Sequence, residues 1–412
     1  MTSAAPAPRV YLLTETYRPE IGGGERQAAL LSAGLAQRGC TVTLVVRRSR
    51  PGLLRREAEG AVRIRRLPPT GPGRLRKWLL LPPALLLLLA KRRDYDVVLV
   101  SGFRLLGISA MLAAIVTRKP TVLKADSSGE MSGEYFRTGL RSLGLSPEGG
   151  LARFLLARRN ALLRQADRFV CLSGEMRDEF ITAGVTADQI VNIPNGVDTQ
   201  RFRPAAAEER SALRRQLSLP DGPVVIYTGR LVRYKGLPEL LESWRLIADD
   251  YRDACLVLVG EGGGDQQACE EELRQTVETH NLATSVRFTG AVNNVEDWLR
   301  AADIFAFPTH DEAFGLSLVE AMACGLAVIS TRVGGLADIV RDGKNGLAVP
   351  SSSPARLAEA LRSLLDDPAY RDRLGSAARE HARTHHDIDV VCDAYGNLLA
   401  DLTTERRRRA KR

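Results

Sequence analysis

The stretch DIFAFPTHDEAFGLSLVEAMACGLAVIST, residues 303–331, decides the fold class. It begins and ends with short apolar runs that are typical of buried strands, IFAF at 304–307 and LAVIST at 326–331. Between them, Pro308 and Gly315 prevent one continuous helix, so we expect a loop followed by a helix over LSLVEAMACG. A strand, a crossover helix and a second strand form the repeating unit of a parallel sheet.

The same alternation of apolar runs and longer amphipathic segments continues along the chain. Continuous apolar runs are typical of parallel sheets covered by helices on both faces. The pattern restarts at Val224, after a charged segment bounded by prolines (residues 198–222). The sequence therefore predicts an α/β protein with two doubly wound Rossmann-like domains facing a central cleft. The expected strands are RVYLLTE, TVTLVV, DVVLVSG, TVLKAD and RFVCLSG in the first half and VVIYTGR, ACLVLVGEG, VRFTG, IFAFPT and LAVIST in the second.

The length of 412 residues suits two domains of about 200 residues each. We expect an N-terminal domain over residues 1–200 and a second domain over residues 201–385. A C-terminal helix over residues 386–402 would pack back towards the N-terminal domain. Residues 403–412 would form a basic tail.

Composition narrows the class of protein. A chain with 44% hydrophobic and 26% charged residues is typical of a soluble globular protein. The six cysteines are scattered and form no CxxC pair, which argues against a disulfide framework or a zinc site and favours a reducing compartment. The N-terminus lacks the basic and apolar regions of a secretory signal, so we expect a cytoplasmic protein.

Positive charge is concentrated in the first half of the chain. Residues 1–200 carry 30 Lys and Arg against 17 Asp and Glu, whereas the remainder carries 28 against 32. This asymmetry indicates an anionic partner. The apolar segment from Trp78 to Ala90 is too short to span a bilayer, and it is either a helix buried on the sheet or an interfacial anchor. Peripheral contact with the anionic inner face of a membrane therefore stays open, whereas nucleic acid is not expected because aromatic residues make up only 5% of the chain.

Ligands of doubly wound sheets bind at the carboxyl ends of the strands. After the first strand, Gly22 and Gly23 open a helix, and the turn is either a phosphate site or a simple tight turn. VVIYTGR ends with Arg230, and Lys235 follows five residues later. The planar guanidinium and the compact ammonium group together suit a diphosphate.

The stretch between the last two strands adds two carboxylates. Glu312 should lie in the loop after IFAFP, and Glu320 about a turn into the following helix. The N–H groups of Gly315, Leu316 and Ser317 would be free at the helix N-terminus. Glu320 could accept from a pair of ribose hydroxyls and Glu312 from a sugar. The alternative is that Glu312 is a solvated loop charge and Glu320 an ordinary helix residue.

Several motifs together resemble the GT-B glycosyltransferases of family 4. The most specific is the EX7E pattern formed by Glu312 and Glu320, in this order with the Arg230 and Lys235 pair. The resemblance is collinear from about residue 10 to about residue 400. Its further motifs are PEIGGGER, PNGVD (194–198), GRLVRYKG, VGEG (259–262), VRFTG and VGGLADIVRDGKNGLAV.

The resemblance implies a retaining transfer of a hexosyl or N-acetylhexosaminyl group in glycan, glycolipid or glycoconjugate biosynthesis. The donor would be a nucleotide-diphosphate sugar, UDP- or GDP-linked, bound by the second domain, and an unidentified acceptor would bind on the N-terminal side. No metal and no other cofactor would be needed. By the resemblance, Arg230 and Lys235 would stabilise the leaving diphosphate, Phe314, Gly315 and Leu316 would bind sugar and phosphate through backbone groups, Glu320 would bind the ribose, Glu312 the sugar hydroxyls, and Gly22 and Gly23 the phosphate.

The chain departs from the family at one position. Many members carry a histidine in the N-terminal domain near the reacting sugar, whereas all five histidines here lie in the second half. At the corresponding place, Lys124, Asp126 or Glu130 would replace it, or the role is vacant. The missing histidine keeps open a partner subunit that binds the donor without catalysis. A separate alternative to transfer is a nucleotide-sugar epimerase or hydrolase on the same fold.

Overall fold

A computed structural model describes residues 7–20, 22–71, 74–133 and 149–411. The chain divides into two compact units. The first unit runs to Gly196 and resumes at Ile388, and the second runs from Val197 to Asp387. The chain passes from the first unit to the second between Gly196 and Val197, inside the PNGVD motif. This is a few residues before the predicted boundary at residues 200 and 201.

Within the described residues, the first unit contains an eight-stranded sheet. Its strands are β1 (Arg9–Leu13), β2 (Thr41–Arg47), β3 (Arg56–Glu59), β4 (Val62–Leu67), β5 (Val97–Ser101), β6 (Thr121–Lys124), β7 (Arg168–Cys171) and β8 (Ile190–Asn192). They lie in the order β3-β4-β2-β1-β5-β6-β7-β8, and all neighbours are parallel except β3 with β4. The strand order reverses between β1 and β5, which is where such sheets bind ligands.

Helices cover this sheet, and the end of the chain returns to it. They are α1 (Gly23–Gln37), α2 (Arg74–Trp78), α3 (Leu81–Ala90), α4 (Phe103–Thr117), α5 (Gly150–Leu163), α6 (Gly174–Thr182) and the C-terminal helix (Ile388–Lys411). Tyr395 and Leu399 of the C-terminal helix share a buried core with Leu31 and Leu35 of α1. Side chains of β1, β2, β4, β5, β6 and β7 also belong to that core.

The residues expected to form a separate basic tail are part of the C-terminal helix instead. The helix continues without interruption to Lys411. Two of its arginines lie near carboxylates of the first unit, Arg406 at 3.6 Å from Asp167 and Arg407 at 3.9 Å from Asp96.

The second unit contains a six-stranded, fully parallel sheet. Its strands are β9 (Val224–Thr228), β10 (Cys255–Val259), β11 (Val286–Gly290), β12 (Ile304–Phe307), β13 (Ala327–Thr331) and β14 (Leu347–Val349). Its helices are α7 (Ala207–Gln216), α8 (Leu237–Arg245), α9 (Glu270–Thr279), α10 (Val295–Ala301), α11 (Leu316–Ala323), α12 (Leu336–Ile339), α13 (Pro354–Asp366) and α14 (Pro368–His385). The order β11-β10-β9-β12-β13-β14 places the reversal between β9 and β12.

The predicted fold class is confirmed by these two Rossmann-like sheets, and each of the ten predicted strands is present. Strands β3, β4, β8 and β14 were not predicted. All six cysteines are buried. No helix in the described part of the chain is long and apolar enough to cross a membrane.

Candidate functional site

The predicted donor-site residues of the second unit gather where its strand order reverses. Arg230 and Lys235 follow β9, and Glu312 follows β12, the strand next to β9 in the sheet. The carboxyl ends of parallel strands lie at the same edge, so residues far apart in the sequence come together there.

Lys235 and Glu312 form an ion pair at this edge. The Lys235 Nζ atom lies 2.7 Å from Glu312 Oε2, and both side chains are more than four-fifths buried. The ammonium group also lies 5.4 Å from the centroid of the Phe307 ring, at the end of β12. The backbone after Lys235 lies close to the loop after β12, and a glycine at position 236 allows this. The φ of Gly236 is +70°, and a Cβ atom there would overlap the carbonyl oxygen of Pro308.

Arg230 has a different partner. Its guanidinium lies 2.5 Å from Asp265 Oδ2 and donates to the hydroxyl of Tyr234, and its side chain is largely exposed. The hydroxyl of the buried Tyr227 donates to the main-chain carbonyl of Arg230 at 2.9 Å. The two cations of the predicted diphosphate site therefore bind separate carboxylates, one after β12 and one after β10.

The loop and helix that follow β12 have the predicted arrangement. Glu312 lies in the loop, and Gly315 is the N-cap of α11 with a φ of +99°. The Glu312 carboxylate accepts from the Phe314 N–H at 3.4 Å, and its carbonyl oxygen accepts from Gly335 N–H at 3.1 Å. The first N–H groups of α11, from Leu316 onwards, have no partner within the helix and form its positive end.

Glu320 lies in the second turn of α11 and is 5% exposed. Its negative charge raises the pKa values of two neighbouring groups. It contributes to a raised pKa of Arg201, for which the hydrogen bond to Glu296 is the larger cause. Burial, with Glu320 as the second cause, also raises the pKa of the Cys324 thiol. A buried carboxylate one helical turn from the positive end of α11 is suited to accept from hydroxyl groups.

In the first unit, the three proposed replacements for the family's histidine form one cluster at the end of β6. The Lys124 ammonium donates to Asp126, whose two carboxylate oxygens each lie 2.9 Å from Ser101 Oγ. The Asp126 N–H donates to Glu130 Oε1 at 2.9 Å. Burial, and then the charge of Asp126, raises the pKa of Glu130 to about 7. The cluster therefore contains a carboxyl group that can exchange a proton near neutral pH.

The glycine turn of the first unit lies at the start of α1, as predicted. Gly22 is the N-cap and Gly23 the first helical residue. The Glu25 carboxylate lies beside Gly22 and accepts from the Thr16 hydroxyl. An acidic side chain thus already lies near the positive end of this helix.

Comparisons with known proteins decide the family. The model of the glycosyl transferases group 1 matches residues 209–381, and that of Glycosyltransferase Family 4 matches residues 21–201. D-inositol 3-phosphate glycosyltransferase 1 from Catenulispora acidiphila is 33% identical over 300 residues, covering 70% of this chain and 68% of that protein. The chain belongs to glycosyltransferase family 4. The chain spans about half the length of the D-inositol 3-phosphate glycosyltransferases from Streptomyces bingchenggensis and Streptomyces scabiei, which it also matches.

Solved structures show that this family 4 chain has the GT-B fold. Sucrose-phosphate synthase from Thermosynechococcus elongatus matches with a TM-score of 0.77 and 24% identity over 96% of this chain and 99% of that one. HepE from Anabaena, in complex with UDP, matches with a TM-score of 0.75 and 22% identity over 95% of this chain and 100% of that one.

Two residues at the candidate site were missed from the sequence. Asp265, which binds Arg230, lies in GEGGGD after β10, and its strand neighbours β9 in the sheet. The signal was present, because an acidic residue after a third strand would reach the same edge. Tyr234 also binds Arg230, and a lone tyrosine between two cations gives no comparable signal.

Proposed function

We propose that this chain transfers a hexosyl or N-acetylhexosaminyl group, with retention, from a nucleotide-diphosphate sugar bound by the second unit to an acceptor. The observation that carries the proposal is the Lys235–Glu312 pair beside the N-terminus of α11, with Glu320 buried in the same helix. Family membership and the UDP bound in HepE support a nucleotide-linked donor.

Negative charge develops on the diphosphate as its bond to the sugar breaks. Lys235 and Arg230 place two cations at the edge where the diphosphate would leave, and the N–H groups of α11 add a third source of positive potential. Fixed cations of this kind supply the charge stabilisation that a divalent metal supplies in other enzymes. We therefore propose that no metal or other cofactor is required, and that the donor is UDP- or GDP-linked.

Donor binding would change the partners of the charged residues. The diphosphate would replace Glu312 as the partner of Lys235 and Asp265 as the partner of Arg230. The released Glu312 would accept from hydroxyl groups of the donor sugar, and Glu320 from the ribose. Phe314, Gly315 and Leu316 would contact the sugar and phosphate through backbone groups, and Gly22 and Gly23 would contact the phosphate from the first unit.

A thermal-shift panel of UDP-, GDP- and ADP-sugars without added metal tests the donor site. Stabilisation by one nucleotide class, reduced in Glu320→Ala, is the expected result. Product analysis then separates the reaction classes. A 2-epimer or free sugar formed without any acceptor would favour an epimerase or hydrolase, and donor binding without turnover on a broad acceptor panel would favour a non-catalytic partner.

We also propose that the first unit contacts an anionic membrane from the cytoplasmic side, a reducing compartment that suits a chain with six buried cysteines. Exposed apolar side chains recur on consecutive helices. They include Trp78 at the end of α2, Leu86 on α3, Ile115 on α4 and Phe154 on α5. The helices are neighbours, since Ser109 of α4 donates to the Leu81 carbonyl of α3, and Arg159 of α5 donates to the Arg104 carbonyl of α4. Exposed basic residues on or beside these helices include Arg76, Arg92, Arg118 and Arg153.

Apolar side chains surrounded by arginines suit the surface of an anionic bilayer. Co-sedimentation with vesicles of anionic and of neutral lipid tests the proposal. Binding should require anionic lipid, weaken with salt and decrease in Leu86→Glu. Leu246→Glu, at an exposed leucine of the second unit, is the matched control and should bind as the unaltered protein does. Failure to bind anionic vesicles at low salt would contradict the proposal.

A further inference from the structure

A cavity of about 310 Å³ lies at the carboxyl ends of β1, β5 and β6 in the first unit. This volume falls at the lower end of the range of roughly 300–1,000 Å³ that small-molecule sites occupy. It also lies where the strand order of this sheet reverses. Its charged lining residues are Glu15, Glu25, Asp126, Glu130, Lys77 and Arg104.

The two cations of this lining already lie close to carboxylates. Lys77 Nζ is 2.7 Å from Glu15 Oε1, and Arg104 Nε is 3.8 Å from Glu130 Oε1. Carboxylates therefore exceed cations by two in the lining. The buried Lys124, which does not line the cavity, compensates Asp126 in part. Among the described residues, carboxyl groups therefore outnumber cations in the wall of the cavity, and the wall is acidic to the extent that Glu130 is ionised.

Glu130 shows that the cavity is equipped for a polar ligand. The residue is 1% exposed, and its Oε1 atom accepts from the Asp126 N–H. Its Oε2 atom is buried and has no hydrogen-bond partner in the described part of the chain. Because the pKa of Glu130 is raised to about 7, the acid can donate to a hydroxyl group and the carboxylate can accept from one. A buried oxygen without a partner is rare, and a ligand hydroxyl would satisfy it.

The chemistry of the wall distinguishes between two kinds of acceptor. Hydroxyl groups donate to carboxylates, so a sugar or cyclitol can satisfy several of these side chains at once. A phosphate monoester carries between one and two negative charges near neutral pH, and the carboxylates of the wall would repel it. We propose that this cavity binds an unphosphorylated polyol, a sugar or cyclitol, as the acceptor and discriminates against its phosphate ester.

This inference rests on the proposed function, since the polyol is the acceptor of the transferred sugar. It distinguishes the chain from the relatives whose names specify D-inositol 3-phosphate. Membership of one family therefore does not imply a shared acceptor, because the charges that line the acceptor cavity contribute to substrate choice.

Matched pairs of acceptors test the inference on the full chain, saturated with the nucleotide that stabilises it most. Calorimetric titration compares inositol with D-inositol 3-phosphate, and glucose with glucose 6-phosphate. For at least one pair, the unphosphorylated member should bind at least about tenfold more tightly, a difference of about 1.4 kcal/mol. Equal affinity within each pair, tighter binding of a phosphate ester, or no binding of any of the four compounds overturns the inference.

Two variants link the discrimination to the wall. Glu130→Gln removes the negative charge of the ionised Glu130, so above pH 7 the preference for the unphosphorylated member should fall at least about threefold. Glu25→Gln, at a more accessible carboxylate of the same wall, should act in the same direction and serves if Glu130→Gln does not fold. Asp188→Asn changes an exposed carboxylate of this unit outside the cavity and should leave the preference unchanged.

The donor panel distinguishes failure of the inference from failure of the proposed function. Stabilisation by a nucleotide sugar together with a preference for a phosphate ester would overturn only the acceptor class. No stabilisation by any nucleotide sugar would contradict the proposed function itself.

Discussion

Lys235 and Glu312, which follow two neighbouring strands of the second unit, form an ion pair with 2.7 Å between Lys235 Nζ and Glu312 Oε2. They are 77 positions apart in the sequence and meet because β9 and β12 are neighbours. A carboxylate that holds the ammonium group also prevents an uncompensated buried charge before the donor binds. The pair is therefore both a structural contact and, in the proposed function, the group that a diphosphate displaces.

Replacement of the cations should lower turnover. We expect Lys235→Ala to reduce kcat by about 10²–10³, the usual loss when one electrostatic contact to a leaving group is removed. Arg230→Ala should also reduce kcat, by a smaller factor because the Arg230 side chain is mostly exposed. Steady-state kinetics with saturating donor measures both effects. Arg233→Ala removes a cation from the same turn that pairs with Glu272, and it is the matched control. Full turnover by an Arg230/Lys235 double variant would contradict the assigned roles.

Glu320→Ala should act mainly on donor binding. Hydrogen bonds to a charged group contribute about 1.5–3 kcal/mol, so the Kd of the nucleotide sugar should rise by about 10- to 100-fold. Titration calorimetry with the donor identified in the thermal-shift panel measures this change. Glu359→Ala, at an exposed carboxylate of α13, controls for the loss of one negative charge. A variant with unchanged donor affinity and reduced kcat would assign Glu320 to the chemical step instead.

The fold was predictable wherever strands are buried on both faces. Strand β9 is buried at all five positions, and its sequence VVIYT is correspondingly apolar without interruption. Strand β4, in contrast, has the sequence VRIRRL near the edge of the sheet, and β3 has the charged sequence REAE. Charged residues in strands at or next to the sheet edge resemble a solvated loop when only apolar runs are counted, and these two strands were therefore missed.

The position of the candidate site was also predictable, whereas its contacts were not. Residues after strands could be assigned to one edge of the sheet, and Glu312 and Glu320 lie in the predicted loop and helix. The sequence did not indicate that Arg230 would bind Asp265 while Lys235 binds Glu312. Partner choice depends on side-chain directions at a few ångströms, which residue spacing does not specify.

Gly236→Ala tests how the backbone positions Lys235. The φ of +70° alone costs an alanine about 1 kcal/mol, and the overlap with the Pro308 carbonyl oxygen adds to this. We expect a lower midpoint of thermal unfolding and a loss of turnover at temperatures where the variant is folded. Gly343→Ala is the matched control, because its φ is +68° and no neighbouring atom lies within reach of the added Cβ. Equal effects of the two substitutions would show that the close approach to Pro308 does not position Lys235.

Metal removal should leave transfer unchanged if fixed cations stabilise the diphosphate. Turnover measured after treatment with EDTA should equal that of untreated protein, and added Mn²⁺ or Mg²⁺ should not raise it by more than about twofold. Loss of activity in EDTA with recovery in Mn²⁺ would contradict metal-independent transfer. The Lys235→Ala variant gives a second readout, since a metal that rescued it would be substituting for the missing charge.

His386 predicts a pH dependence of stability. It is 5% exposed, and both ring nitrogens lack a hydrogen-bond partner among the described residues. Its ring lies edge-on to Phe314, with 5.5 Å between ring centroids, and 5.4 Å from the ring of His381. Burial, and then the neighbouring His381 and His385, lowers the pKa of His386 to about 3. Burial likewise lowers the pKa of His381 to about 4.

The unfolded chain binds protons at these histidines below about pH 6.5, whereas the folded chain does not until the pH approaches the lowered values. The free energy of unfolding should therefore be largest above about pH 6.5 and decrease as the pH falls towards 4. We expect His386→Phe, which keeps the ring contact with Phe314, to make this decrease shallower. At pH 7 its stability should be unchanged or higher, by up to about 1–3 kcal/mol, because a buried polar group without a partner is removed. Urea denaturation of the variant and of the exposed-site control His280→Phe, between pH 7 and 4, measures the slopes. A slope for His386→Phe equal to that of the unaltered protein would show that His386 does not carry the effect.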